Sequence, residues 1–358
     1  MTDFPSFTYH VKPLLSDLIN NVTNFDEWVT MLKTKNFGSL IFSVKNAYVY
    51  SDPLTSAIIL CLAFALWVWI LSTITRNFSQ VDRLWSILPV IFTWHFILHG
   101  CWKSSSISLP NESIFNSCNL NARGVILCLL TTIWGARLTY NYARKGGYKW
   151  ESEDYSRWSI VKYRIHWIIF EVLNIIFISL YQCFLLLAMT FPSYAVWYSA
   201  PTSSLNLWDL FASILFIGFL IGEIVSDNQQ WRFQSEKYKL IAKANENLKR
   251  TAIFEGDYSF GFITRGLFRY SRHPNYFCEM GIWWSYYIFS IAAASSKSQW
   301  ILNWTMIGTL SLTILFQITT HLTETISRKK YPMYELYKKN TSRLIPWFPG
   351  KNITKKKK

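Results

Sequence analysis

Long apolar stretches alternate with basic connectors along most of the chain. Seven of these stretches approach the roughly 20 residues that an α-helix needs to cross the hydrocarbon core of a bilayer. They predict transmembrane helices over residues 57–74, 84–101, 124–143, 165–191, 207–227, 277–294 and 301–321. The expected fold class is therefore an all-α integral membrane protein, a bundle of about seven transmembrane helices.

The two ends of the chain differ in character from this central part. Residues 14–19 and 40–50 are apolar but too short to span a bilayer, so they favour either a helix on the membrane interface or a disordered tail. The predicted organisation is a lumenal extension over residues 1–56, a transmembrane bundle over 57–322 and a basic cytosolic tail over 323–358.

The basic residues indicate how the bundle is oriented. Of the 36 Lys and Arg residues, 28 lie in the connectors 75–83, 141–164 and 228–276 and in the tail from 322. The connectors on the opposite side hold seven, and Arg137 lies within a span. Cytosolic loops carry the excess of positive charge. This pattern predicts a cytosolic C-terminus and a lumenal N-terminus.

Two further features concern the compartment. The chain ends in Lys355 to Lys358, which resembles a dilysine retrieval signal for the endoplasmic reticulum; a polybasic patch that attracts anionic lipid is the alternative. Cys101 and Cys118 fall in one lumenal loop, where the compartment permits a disulfide, although two free thiols remain possible.

The composition fits a bilayer environment. Charged residues make up 16% of the chain and aromatic residues 18%, whereas an average soluble domain has about 25% charged residues. The net charge of +15 is explained by the membrane orientation. No cysteine spacing for zinc and no nucleic-acid-binding motif is present in the sequence, so we expect neither a metal nor a nucleic-acid partner.

Ionisable side chains inside membrane spans are costly and usually mark function. Several predicted spans carry polar groups near their cytosolic ends, namely Asp82, Arg83, Arg137, Tyr140, Glu223, Asp227, Glu279, His321 and Glu324. A long charged side chain can extend from a membrane span to the membrane–water interface, and this explains the position of Arg83. It does not explain the positions of Arg137, Glu223 or Glu279. The pattern predicts a polar cavity that opens to the cytosol.

The densest polar motif runs over residues 266–279. Arg269, Arg272 and His273 precede Pro274, and proline favours the first turn of a helix. Basic side chains beside a helix N-terminus suit a phosphate-bearing ligand. The alternative is a basic loop that anchors to lipid headgroups. Anchoring does not require Asn275, Tyr276 and Glu279, which follow Pro274 and complete the motif.

Together with other segments, this motif resembles the steroid 5-alpha-reductase-like superfamily of membrane proteins, in a branch described as a membrane domain of unknown function. The superfamily is more distantly related to isoprenylcysteine and phospholipid methyltransferases. The resemblance covers residues 80–347 and is carried by segments 81–86, 134–138, 153–158 and 269–279, by Asp227 with Gln230, and by segment 334–346.

The resemblance implies a helical bundle that binds NADPH from the cytosol and reduces carbon–carbon double bonds in lipids or sterols. It matches Asp82 to an acidic position of the second span, and Asp227, Asn275, Tyr276 and Glu279 to cofactor-contacting residues; Glu223 stands where steroid reductases carry an asparagine. The catalytic proton is expected from Tyr140, from Asp82 acting through water, or from solvent, and Trp85 and Trp134 are expected in the substrate cavity. The other predicted cofactor-binding residues, from their charge and position, are Arg137, Arg269, Arg272, His273 and Glu324.

Trp134 departs from the pattern of the superfamily. It occupies the position of the tyrosine that steroid reductases use to polarise a carbonyl, and an indole N–H is a donor but not a usable acid. This argues against a 3-oxo-steroid substrate. One alternative function is an S-adenosylmethionine-dependent methyltransferase of lipids or prenylcysteine, and another is a non-catalytic lipid binder.

Overall fold

The computed structural model describes residues 16–17, 25–107, 120–149, 162, 165–199, 204–246, 255–294, 301–348 and 350. The described chain is helical, and within these ranges the one β-type pairing is an isolated bridge between Ser271 and Ser342. The predicted all-α fold class is confirmed. The chain divides into two compact units, residues 1–212 with 286–309 and residues 213–285 with 310–358.

Within the described residues, the first unit includes helical residues 25–33, seven further helices and one π-helical segment. The helices are α1 Phe37–Tyr50, α2 Pro53–Thr75, α3 Leu88–Ile107, α4 Ala122–Arg144, α5 Trp167–Leu173, α6 Gln182–Ala188 and α7 Phe191–Ser199. The π-helical segment Asn174–Tyr181 connects α5 to α6 without a break. Helix α3 packs against α1, α2, α4, α6 and α7, and therefore lies at the centre of this unit.

Local signals set where these helices begin. The Asp52 side chain caps α2 by accepting a hydrogen bond from the Leu54 N–H at 2.8 Å, and Pro53 occupies the first helical position. The Asn121 side chain caps α4 in the same way. Arg76 ends α2 in the left-handed conformation.

Helix α1 forms the last part of the predicted N-terminal extension. Residues 40–50 are helical rather than a disordered tail, and Tyr48 attaches them to the bundle. Its hydroxyl lies 3.1 Å from His95 Nδ1, while His95 Nε2 lies 2.9 Å from the Pro53 carbonyl oxygen. Of the predicted apolar stretch 14–19, only residues 16 and 17 lie within the described ranges.

Two charged side chains in the first unit are held by internal partners. Arg123, which is fully buried, donates from Nε to Asp209 Oδ1 at 2.6 Å and from Nη2 to Asp209 Oδ2 at 2.8 Å. Glu171 Oε1 accepts hydrogen bonds from Trp69 Nε1, Thr73 Oγ1 and Asn174 Nδ2 at 2.8, 3.2 and 3.2 Å. The Arg123 contacts join α4 to Asp209. The Glu171 contacts join α2 to α5.

The second unit contains the remaining helices or large parts of them. These are α8 Leu207–Glu246, α9 Asp257–Phe260, α10 Pro274–Ala293, α11 Ile307–Lys330 and α12 Tyr334–Asn340. Helix α8 continues 19 residues beyond the predicted end of the fifth span at residue 227. The hydropathy pattern marks only the apolar part of this helix, because its second half is polar.

Five helical stretches of the described chain are long and apolar enough to cross a membrane: Pro53–Thr75, Ala122–Arg144, Trp167–Ser199, Leu207–Ala244 and Trp304–Lys330. They make this a multi-pass membrane protein, but the predicted count of seven is not confirmed. The other two predicted spans correspond to α3, whose apolar part Leu88–Cys101 is shorter, and to α10. Helix α10 has the length of a span, with 20 residues, but is not one of these five stretches.

Candidate functional site

Asp82 and Arg83 lie on a 3₁₀ turn, Val81–Arg83, that precedes α3 in the first unit. Trp85, which follows this turn and is half-buried, donates from Nε1 to Gln182 Oε1 on α6 at 3.0 Å. Helix α4 approaches closely, because a Cβ atom at Gly135 would come within 2.7 Å of the Ser86 carbonyl oxygen. The glycine therefore allows α4 to pack directly against the backbone that follows Asp82.

The end of α4 and the turn after it complete this group of polar residues. The Tyr142 side chain lies close to both Arg83 and Asp82. Tyr148 packs edge-on against Tyr142, with ring centroids 5.0 Å apart, and donates its hydroxyl to the Arg83 carbonyl oxygen at 3.3 Å. We call Asp82, Arg83, Tyr142 and Tyr148 the turn cluster.

Tyr140, the predicted catalytic tyrosine, does not belong to the turn cluster. Its side chain is 64% exposed, and the Arg144 guanidinium lies 5.5 Å from its ring centroid. Residues two apart on an α-helix point about 200° away from each other, so Tyr140 and Tyr142 face opposite directions. The sequence indicated a tyrosine near the end of α4 but did not show which one lies beside Asp82.

The other first-unit candidates differ in their accessibility. Trp134, predicted to line a substrate cavity, is fully buried, and Arg137 is half-buried. Asp82, Trp85, Trp134, Arg137 and Tyr140 all belong to the first unit. The other predicted site residues belong to the second unit, and the predicted single cavity stays a prediction.

In the second unit, α8 and α10 pack closely through glycines. A Cβ atom at Gly222 would lie 2.8 Å from Cys278 Sγ, and one at Gly281 would lie 2.6 Å from the ring of Phe219. Small residues at a helix contact let the two backbones approach. The carboxylates of Glu223 and Glu279 come directly after two of these contact residues.

Both of these carboxylates are nearly inaccessible to solvent. Glu223 is 5% exposed and Glu279 is 6% exposed, and Glu279 Oε1 accepts a hydrogen bond from Trp283 Nε1 at 2.9 Å. Asp227 and Asn275, each four residues away on the same helix, are half-buried. We call Glu223, Asp227, Asn275 and Glu279 the carboxylate cluster. The sequence predicted all four as cofactor-binding residues, but not the tryptophan donor.

Arg272, at the start of α10, is engaged in a different set of contacts. It is 7% exposed and donates from Nε to Glu324 Oε1 on α11 at 2.7 Å. Its Nη1 donates to the carbonyl oxygens of Lys338, at 2.9 Å, and of Thr341. We call these four residues the arginine clamp. The clamp attaches the chain around α12 to the ends of α10 and α11.

His273 shares the carboxylate of the arginine clamp. Its Nε2 lies 3.2 Å from Glu324 Oε1, and its ring stacks on Tyr276 with centroids 5.5 Å apart. The Tyr276 ring in turn stacks on Phe316 of α11 at 5.0 Å. His273 and Tyr276, predicted to contact a cofactor, therefore form part of the interface between α10 and α11.

The segment after α11 is fixed by further hydrogen bonds. The Tyr337 hydroxyl donates to the Phe268 carbonyl oxygen at 2.5 Å, and the Ser271 hydroxyl donates to that of Leu344 at 2.7 Å. Burial raises the pKa of both Tyr334 and Tyr337, so these phenols stay protonated at neutral pH. Both are packing residues, and the Tyr337 hydroxyl is also a hydrogen-bond donor.

Arg269 differs from Arg272 in its surroundings. It ends the 3₁₀ turn Gly266–Arg269 and is exposed. Of the two arginines predicted to contact phosphate groups, Arg269 is thus the accessible one, whereas the guanidinium of Arg272 is engaged in the clamp.

Replacing Arg272 with lysine is expected to loosen the chain around α12. A lysine ammonium cannot reproduce the planar fork that reaches one carboxylate and two carbonyl oxygens. Because each hydrogen bond to a charged group contributes about 1.5–3 kcal/mol, we expect amide exchange in α12 to become about tenfold faster or more. Hydrogen–deuterium exchange with mass spectrometry measures this rate.

Arg269→Lys is the matched control, since it makes the same chemical change at an exposed position three residues earlier. It should leave exchange in α12 as in the original chain. If Arg272→Lys also leaves it unchanged, the arginine clamp does not hold this segment.

Comparisons with known proteins place the chain in a family. Residues 68–341 match the family described as a protein of unknown function (DUF1295). An uncharacterized protein of Schizosaccharomyces pombe is 34% identical over 324 residues, which cover 89% of this chain and 86% of the yeast protein. No solved structure matches the chain. The matched region contains the turn cluster, the carboxylate cluster and the arginine clamp, and the chain therefore belongs to the DUF1295 family of membrane proteins.

Proposed function

We propose that this protein is a membrane oxidoreductase that uses NADPH to reduce a carbon–carbon double bond in a lipid or sterol-like substrate. The main support for this proposal is the carboxylate cluster. Glu223 and Glu279 are buried, and Asp227 and Asn275 lie half-buried beside them along α8 and α10. Carboxylates and an amide suit the amide and hydroxyl donors of a nicotinamide riboside. The resemblance to the steroid 5-alpha-reductase-like superfamily supports the same function.

The second unit also offers groups for the phosphates of this cofactor. Arg269 is exposed on the turn that leads to Pro274, where α10 begins. A helix N-terminus and an accessible guanidinium both favour a phosphate. In this proposal Arg272 acts as a positioning residue, because it holds Glu324 and the start of α10 in place.

NADPH, when bound, would supply the hydride for the electron-poor carbon of the double bond. The other carbon would receive a proton, and we propose Tyr142 as its donor. Its phenol lies close to Arg83 and Asp82 in the turn cluster, and a positioned phenol can act as a general acid. Asp82, close by, is suited to return the proton from solvent. This role falls to Tyr142 rather than Tyr140, because Tyr140 points away from Asp82.

A specific observation favours a second candidate, an S-adenosylmethionine-dependent methyltransferase of lipids or prenylcysteine. The guanidinium of Arg272 is used by the arginine clamp, whereas the buried Glu223 and Glu279 carboxylates suit a sulfonium cation, which carries no phosphate. A non-catalytic lipid binder is the third candidate. Measuring whether the protein binds NADPH, S-adenosylmethionine or neither distinguishes these three candidate functions.

The purified protein in detergent is expected to unfold at a higher temperature when NADPH is present. A ligand that binds only the native state at 100 times its Kd stabilises it by about 2.7 kcal/mol. Asn275→Ala should remove this NADPH-dependent shift without changing the melting temperature of the unliganded protein. Asn340→Ala, which removes an amide from the exposed surface of α12, is the control. Thermal denaturation measures each effect.

The same experiment decides between the candidates. A shift with S-adenosylmethionine and none with NADPH would sink the reductase proposal and support the methyltransferase. If neither cofactor raises the melting temperature, the non-catalytic lipid binder is favoured.

Two tyrosines two residues apart provide a matched pair for the proton donor. Removal of a general acid typically lowers the rate about 10²–10⁴-fold, so Tyr142→Phe should reduce kcat by about 100-fold. Tyr140→Phe removes a hydroxyl from an exposed ring and should leave kcat unchanged. The readout is NADPH oxidation with a total membrane lipid extract as the source of substrate. Equal rates for both variants would exclude Tyr142 as the donor.

We also propose that the protein lies in the endoplasmic reticulum membrane, with a lumenal N-terminus and a cytosolic C-terminus. The distribution of Lys and Arg residues supports this orientation. Cys101 is disulfide-bonded, as expected in an oxidising lumen; its predicted partner, Cys118, lies outside the described residues. The terminal lysines 355–358 also lie outside them.

Glycosylation in cells reports this orientation. The acceptor sequence that begins at Asn111 should be glycosylated, because it lies in the proposed lumenal loop. The sequence that begins at Asn340 should stay unmodified. The lumenal extension has a second acceptor sequence that begins at Asn21, so Asn111→Gln should reduce the mobility shift that glycosidase treatment reveals, and Asn21→Gln with Asn111→Gln should abolish it. Modification of Asn340 instead would invert the orientation.

A further inference from the structure

Helix α8 is much longer than a membrane span. Its 40 residues extend about 60 Å, whereas the hydrocarbon core of a bilayer is about 30 Å thick. The apolar sequence ends near Val225, and polar residues follow from Ser226. The second half of α8 therefore extends out of the hydrocarbon core, and residues 255–266 fold against it.

This loop is fixed in one conformation by several contacts. The Asp257 carboxylate accepts from the Thr264 N–H at 3.0 Å and from its hydroxyl at 2.6 Å, which closes the loop on itself. Lys237 Nζ donates to the Gly261 carbonyl oxygen at 2.7 Å, and the Leu267 N–H donates to Gln229 Oε1 at 2.9 Å. The loop and α8 thus form a prearranged pair of surfaces.

Glycine is required where the loop comes closest to α8. Gly266 has φ +62°, and a Cβ atom there would come within 2.5 Å of the Gln229 amide. Gly256 likewise has a positive φ of 57°. A side chain at Gly266 would be strained by the backbone conformation and would also force the loop away from Gln229.

Between these surfaces lies a cleft of about 460 Å³. Ligand pockets in proteins usually have volumes of about 300–1,000 Å³. The ring of Phe233 is 6% exposed and stacks in parallel with that of Tyr258, at a centroid distance of 5.2 Å and an interplanar angle of 7°. Tyr258 and Ile263 give the cleft an aromatic and apolar wall.

Charged groups surround this wall. The cleft is lined by the exposed guanidinium groups of Arg232 and Arg265 and by the carboxylates of Glu236 and Asp257. Arg265 is 74% exposed at its side chain and lies 3.5 Å from Asp257, so its remaining donors face outward. The cleft therefore offers a flat ring for stacking, guanidinium donors for an anion and a carboxylate acceptor for hydroxyl or amino groups.

We propose that this cleft binds a nucleoside phosphate. The base stacks on Tyr258, the phosphate binds Arg232 and Arg265, and Glu236 accepts hydrogen bonds from the ribose hydroxyls. An anionic lipid headgroup would use the same arginines. The two carboxylates would repel a headgroup that bears several phosphates, and a headgroup has no ring to stack, so the lining favours the nucleotide.

The cleft is distinct from the proposed nicotinamide site. Gln229, Arg232, Phe233 and Glu236 form one face of α8 at helical spacing, and at 100° per residue this face lies about 190° around the helix from Asp227. A nucleotide in the cleft therefore does not contact the carboxylate cluster. The cleft is a second cytosolic site, and its occupancy does not depend on whether the protein is a reductase.

The test is direct binding of adenosine 5′-monophosphate to the purified full-length protein in detergent, measured by calorimetry. We expect binding that is stronger than that of inorganic phosphate, because the base adds stacking. Arg232→Gln should weaken it about tenfold, since it removes one charge-assisted contact. Arg232 is exposed, so the variant should keep the melting temperature of the original chain.

Two controls make the result specific. Lys329→Gln removes a positive charge from an exposed position on α11, outside the cleft, and should leave the affinity unchanged. Tyr258→Leu should weaken adenosine monophosphate binding but not phosphate binding.

Three results would overturn the proposal. The first is an equal affinity of the original chain and Arg232→Gln for adenosine monophosphate. The second is competition between adenosine monophosphate and NADPH for one site. The third is binding to nanodiscs that contain phosphatidic acid with none to adenosine monophosphate, which would assign the arginines to lipid.

Discussion

Within a bilayer, every buried polar group needs a partner from the protein itself, and the arrangement of this chain follows from that constraint. Arg123 and Asp209 meet it as a doubly hydrogen-bonded pair, both nearly inaccessible. Removing one partner of such a pair typically costs about 3–5 kcal/mol, because the other charge is left buried. Glu171 meets the constraint with three donors on one carboxylate oxygen. These polar residues are structural, although each is costly to place.

The same constraint separates two roles among the polar residues of the second unit. Arg272 and Glu324 neutralise each other and organise the chain around α12. In the carboxylate cluster, Glu279 accepts a hydrogen bond from the indole N–H of Trp283 on its own helix. The first set of contacts fixes the ends of helices, whereas the second lies along the packed faces of α8 and α10.

Sequence reasoning predicted the helical membrane fold and the polar residues of the second unit, because both depend on local patterns. It did not show that Tyr142, and not Tyr140, lies beside Asp82, since the direction of a side chain near a helix end depends on tertiary packing. It could not show that Arg272 is enclosed while Arg269 is exposed, because residues near position 340 create the difference. The polar second half of α8 carried no hydropathy signal, so the cleft beside Phe233 was not anticipated.

The π-helical segment Asn174–Tyr181 has a consequence for comparing this chain with its relatives. Its backbone hydrogen bonds span five residues instead of four, so the segment accommodates an additional residue between the faces of α5 and α6. A relative that lacks one residue here can close the segment into a regular α-turn and keep both tryptophan contacts, Trp69 with Glu171 and Trp85 with Gln182. We therefore expect this membrane helix to tolerate the loss of one residue within the segment.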